Sequence, residues 1–209
     1  MPYSRKHYLA VLEESKKELE GTDAAEKARL CGFEFEETEE GPRMFFISLG
    51  VQYEIDPVTW EIRRVAGGRV MPLQMRIVTL HYIKRAAGVP LKGELIPLTK
   101  FPELMNYGPV IRRRSENILS RCFADNPELF FPALEKLGGE RINMGDAAGR
   151  FHQLPLLPVV VVVHESEPGL PGEAIVMMDA SAPEMMHLED LVVLAELLSH
   201  KLASVAAGD

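Results

Sequence analysis

The chain has 209 residues, 46% of them hydrophobic and 26% charged, an ordinary globular composition that suits one domain with its own core. That length buries a core without metals or disulfide staples. The formal net charge of −8, with 31 acidic against 23 basic residues, argues against partners that are recognised by neutralising phosphate, whether nucleic acid or an anionic membrane surface.

The two cysteines, Cys31 and Cys122, lie far apart and outside any CxxC. A disulfide framework, a thiolate metal cage or an iron–sulfur cluster built by this chain alone is not expected, and a reducing, cytoplasmic compartment fits. The opening MPYSRKHYLAVLEESKKELE lacks the apolar stretch and cleavage site of a signal peptide. The longest apolar run, Leu154 to Val163, is broken by Pro155 and Pro158 and is too short to span a bilayer as a helix.

In chain order, Tyr8, Leu9, Leu12 and Leu19 recur near helical spacing and predict a helix from about Ser4 to Leu19. Gly21 ends it. A capping box, Asp23-Ala-Ala-Glu26, starts a second helix that Gly32 stops. The period then changes to two. Met44 to Leu49, then Val51, Tyr53 and Ile55, then Trp60 and Ile62, predict an antiparallel meander over residues 33–71, with turns at Asp56-Pro57 and Gly67-Gly68. The acidic stretch Glu34 to Glu40 reads as a solvated loop or edge. Pro72 suits the first position of a helix running to about Ala87. A short strand at Leu95–Leu98 follows, then a helix from about Pro109 to Phe123 with Ile111, Ile118, Leu119 and Cys122 inward. Asn126-Pro127 caps another helix that ends at Gly138-Gly139.

The C-terminal third has the clearest pattern. Val159–Val163 is a β-branched run expected to be buried on both faces, with Ala174–Met178 as its antiparallel neighbour. Leu188, Leu191, Ala195, Leu198, Leu202 and Val205 step by three and four, which predicts a long amphipathic helix covering that β-structure. Glu189 and Asp190 complement the positive end of its dipole. The fold class is therefore α+β: a single domain, mostly antiparallel sheet packed against several helices, closed by the long C-terminal helix.

The stretch LPLLPVVVVVHESEPGLPGEAIVMMDASAPEMMHLEDLVVLAELLSHKL, from Leu154 to Leu202, resembles the closing signature of the domain of unknown function (DUF) 3786 family. YEIDPVTWEI, LHYIKRAAGVPLKGELIPLTKFP and GDAAGRF resemble earlier parts of the same family, the last as a lead into the buried strand. The resemblance covers about residues 5–203. It implies a setting in anaerobes, and domain fusions that point to a corrinoid or iron–sulfur protein as partner. It implies no activity. The chain departs from the family pattern at His164, at Leu170-Pro171 and at Met186-His187-Leu188.

Standard catalytic signatures are missing: there is no P-loop, GxGxxG after a strand, GxSxG or HExxH. Arg112, Arg113 and Arg114 follow Tyr107 near the start of a predicted helix. Guanidinium forks and free backbone N–H groups there suit a phosphate or carboxylate. Ion pairing with Glu103, Glu116 or the acidic loop is the structural alternative. His164, Glu165, Glu167, Glu173, Asp179 and His187 stand near the ends of the last two strands. They read either as metal ligands or as a solvated rim in which Asp179 caps a turn. Met177, Met178, Met185 and Met186 read as core or interface packing, with soft-metal ligation as the alternative. His81, on an apolar helix, reads as a hydrogen-bonded core histidine.

Three functions remain open. One is a non-catalytic module for a small anionic ligand or cofactor, or for the implied partner, with Tyr107, Arg112, Arg113 and Arg114 as its anion site. Another is an enzyme with a dispersed site acting on a phosphate or carboxylate compound. The third is an interaction domain or homodimer. No metal site and no cofactor held by this chain alone are expected.

Overall fold

The computed structural model describes residues 4–208. Ser4 caps helix α1 (Arg5–Lys17), its hydroxyl accepting from the His7 amide. Leu12 and Leu19 are buried as expected, whereas Leu9 faces solvent. Asp23 caps α2 (Ala24–Cys31) by accepting from the Glu26 amide, and Gly32 closes it at φ 69°, a backbone angle that glycine adopts without strain.

The predicted meander is strands β1 (Glu34–Thr38), β2 (Gly41–Ser48), β3 (Val51–Asp56) and β4 (Glu61–Arg64), paired antiparallel in that order. Met44, Phe46, Ile55 and Ile62 form its buried face, where Phe33 stacks on Phe46 at 4.7 Å. The acidic stretch is the exposed edge strand β1. Asp56 accepts from the Val58 amide to turn β3 into β4. Gly67 and Gly68 both have positive φ in the following hairpin, where Arg64 donates to the Arg69 carbonyl.

Helix α3 (Leu73–Arg85) starts one residue after Pro72, which is its cap. Strand β5 (Leu95–Pro97) follows. The helix predicted from Pro109 is a rod of three parts: α4 (Gly108–Ile111), a π-helical turn (Arg112–Glu116) and α5 (Asn117–Phe123). The next helix opens as a 3-10 turn at Pro127–Leu129 and continues as α6 (Phe130–Lys136). Asn126 precedes it but makes no side-chain capping bond.

The antiparallel structure is divided between two sheets. The second has β6 (Glu140–Arg141), β7 (Ala147–Leu154), β8 (Leu157–His164) and β9 (Glu173–Asp179), in the order β5-β9-β8-β7-β6. The expected valine strand and its neighbour are β8 and β9, with Val161 opposite Val176. Strand β8 is buried on both faces. Val159, Val161 and Val163 enter the main core, while Val160 and Val162 pack with Ala148 on the other side. GDAAGRF, expected as a lead-in to the buried strand, itself enters strand β7 at Ala147. The strand's glycine has a steric cause: a Cβ on Gly149 would lie 2.2 Å from Leu134 Cδ1 of α6.

Helices α5 and α6 lie directly on the second sheet. A short α7 (Ala182–Met185) leads into α8 (Leu188–Ala206), which packs against α5 and α6 on one side and α3 on another. The valine strands are therefore roofed first by α5 and α6, with the long helix behind them. Strand β5 pairs with β9 only from Met177 to Asp179. Beyond it, Glu116 and Ser120, one turn apart on the same rod, accept from the Val176 and Ala174 amides at 3.3 and 2.8 Å.

Candidate functional site

A cleft of about 780 Å³ opens where α1, α3, the α4–π–α5 rod and α8 meet. Each wall follows from a helical stripe. Helix α1 contributes His7, Tyr8 and Val11, at one-turn spacing. Helix α3 contributes Gln74, Ile77, Val78 and His81. The rod contributes Val110, Arg113 and Arg114, and α8 with its cap contributes His187, Glu189, Asp190, Val193 and Glu196. The π turn changes the angular phase of the rod, and such turns recur at functional sites.

His81 is the hub of this cleft. Its Nδ1 lies 3.0 Å from both carboxylate oxygens of Asp190, and its Nε2 lies 3.1 Å from the Ser15 hydroxyl. The order is that of a Ser-His-Asp triad, drawn from three helices and separated by 66 and 109 residues. Two observations argue against a serine nucleophile. Ser15 is only 3% exposed, and its hydroxyl also lies 2.8 Å from the Val11 carbonyl within its own helix. The arrangement fixes the His81 ring and ties α1, α3 and α8 together. Asp190 suits its place, because a carboxylate in the first turn of α8 is favoured by the helix dipole. His81, expected as a hydrogen-bonded core histidine, is hydrogen-bonded but lines the cleft.

Arg114 donates through Nε to Glu196 of α8 at 2.9 Å and forms an ion pair with the same carboxylate. That partner is neither of the glutamates foreseen. Arg85 donates to the His187 ring at 2.8 Å, so the contacted nitrogen is an acceptor. Among the described residues, Arg113 and Glu189 form no ion pair.

The arginine run is thus split by the geometry. Arg113 and Arg114 reach the cleft, whereas Arg112 and the exposed Tyr107 are not among its lining residues. The Arg112 amide bonds back to Gly108 and Pro109 within the helix, so it is not a free donor for an anion.

The other candidate cluster is also dispersed. His164 pairs across the strands with Glu173 at one end of β9. Asp179 lies at the other end of that strand, ~20 Å away at about 3.4 Å per residue. Its carboxylate accepts from the Lys92, Gly93 and Ser181 amides and from the Ser181 hydroxyl, the capping role considered from sequence. Burial pushes the Asp179 carboxyl up, but those hydrogen bonds outweigh it and hold the group below its ordinary value. Glu165 donates its amide to Asp146, and only His187 of this set reaches the cleft. Met178, Met185 and Met186 are buried in the main core, and Met177 packs on the far face of the sheet.

Burial also pushes the Cys31 thiol up to about 12, against an opposing pull from Lys27, which suits an inert core thiol. Among the described residues, no helix is long and apolar enough to cross a membrane. No curated protein and no solved structure matches the chain. A family does match, over residues 23–201, a stretch that begins after α1 and spans both sheets and most of α8. The chain belongs to the family described as Domain of unknown function (DUF3786).

Proposed function

We propose that this domain is a binding module whose cleft takes a small organic anion. The supporting observation is Arg113: a guanidinium on the wall of a small-molecule-sized cleft, with no ion-pair partner among the described residues. The cleft volume falls within the ~300–1,000 Å³ typical of ligand sites, and apolar walls with a few polar groups are their usual lining. Arg112 and Tyr107 contribute from outside the lining, Arg112 by its charge. The proposal extends to a cytoplasmic setting and an accessory role beside a corrinoid or iron–sulfur partner. The first is supported by two free cysteines and the second by the family resemblance alone.

The test is a thermal-shift screen with phosphate and carboxylate compounds on the parent and on Arg113→Ala. A ligand at about 100 times its dissociation constant stabilises by roughly 2.7 kcal/mol, which raises Tm by about 5–10 °C in a domain of this size. The parent responds and the variant does not; identical profiles defeat the proposal.

A second reading, an enzyme with a dispersed site, is favoured by the Asp190-oriented ring of His81. In that reading His81 is a general base, and the ligand displaces Ser15 from Nε2. NMR of a bound acid incubated with the protein separates the two: an unchanged acid supports the module, a converted one the enzyme.

A further inference from the structure

From the charges left over in the cleft, we infer that its ligand is a zwitterion, an aliphatic amino acid. The inference rests on the binding reading above and specifies its ligand. Of the three carboxylates on the walls, Glu196 is neutralised by Arg114, and Asp190 is held by the His81 ring. The two remaining charged side chains have opposite sign: Arg113 on the π turn and Glu189 in the first turn of α8. They stand on different walls of the same cleft and form no ion pair with each other.

A simple anion satisfies Arg113 and meets repulsion from Glu189. A simple amine does the reverse. A molecule with both a carboxylate and an ammonium satisfies both walls. The positive end of α8 does not reverse this, because it amounts to roughly half a charge whereas Glu189 carries a full one. His187 is engaged by Arg85, which lies 2.8 Å from its ring. Val11, Ile77, Val78, Val110 and Val193 supply an aliphatic wall for the side chain of the amino acid.

Isothermal titration with three isosteric probes tests this: L-leucine, 4-methylpentanoate, which lacks the amine, and 3-methylbutylamine, which lacks the carboxylate. The parent is expected to bind leucine at least tenfold tighter than either analogue. Glu189→Gln is expected to bring leucine down to the level of 4-methylpentanoate and leave the latter no weaker. Arg113→Ala is expected to bring leucine down to the level of the amine. Both positions are exposed, so the variants keep the fold, which circular dichroism verifies. If 4-methylpentanoate binds the parent as tightly as leucine and Glu189→Gln changes neither, the zwitterion is overturned while the anion module stands. If no probe binds the parent, the amino acid is overturned; the anion module falls with it only if the phosphate and carboxylate screen also gives identical profiles for the parent and Arg113→Ala.

Discussion

Asp179 and Glu116 are buried carboxyls that meet the same strand, β9, and answer pH in opposite senses. Asp179 is held below its ordinary 3.8 by its four donors. Its contribution to stability is complete above that value and is lost as the pH falls through the lower folded-state value. Asp179→Asn turns an acceptor into a donor against the Gly93 or Lys92 amide. A loss of about 2–4 kcal/mol in urea unfolding at pH 7 is expected, from a broken charged bond and a stranded N–H. Glu116 is pushed above 4.5, chiefly by burial and also by Glu173, against opposing pulls from the Val176 amide and Arg112. Its contribution is complete below 4.5 and is lost as the pH rises through the raised folded-state value. Glu116→Gln keeps an oxygen for Val176 and removes the buried charge. Its midpoint relative to the parent is therefore higher at pH 7 than at pH 4; equal offsets at the two values contradict this assignment.

At the next scale, helix α6 and strand β7 touch so closely that one methyl group decides their spacing. Gly149→Ala places its Cβ against Leu134, an overpacking worth about 1–3 kcal/mol. Leu134→Ala alone leaves a cavity worth about 2–5 kcal/mol. The double variant should lose clearly less than the sum, which a double-mutant cycle in urea measures. This contact also explains what could be read from the residues. Val159–Val163 and the Leu188–Val205 stripe announced their elements, because burial demands bulk at a fixed period. Strand β7 hid, because its partner demands the absence of bulk at Gly149. The π turn hid as well, since one extra residue in a helical turn leaves no mark on composition. In the cleft, the arginine run was visible as a run, but its partners were not. Glu196 lies 82 residues from Arg114, and Ser15, His81 and Asp190 meet only through the packing of three helices.

Over the whole molecule, the cleft is built by helices of unequal security. Helix α8 buries nine of its 19 residues, whereas α1 buries only Leu12 and Ser15 of its 13. Helix α1 is tied to α3 by the Ser15–His81 contact, the Glu18–Lys84 ion pair and the Gln74–Tyr8 bond. Amide hydrogen exchange should therefore be markedly faster in α1 than in the buried turns of α8, and comparable protection would contradict this ranking. The boundaries of the two sheets have a consequence for the chain in company. Strand β1 is studded with glutamates, β4 is occupied by the returning chain through the Arg64–Arg69 and Met71–Ile62 bonds, β5 is three residues long and ends in proline, β6 is two residues long, and the open amides of β9 are occupied by Ser120 and Glu116. A strand from a neighbouring molecule thus meets acid, proline or spent donors in place of a template. Crowded copies of this protein have little means of growing into a continuous fibrillar ladder.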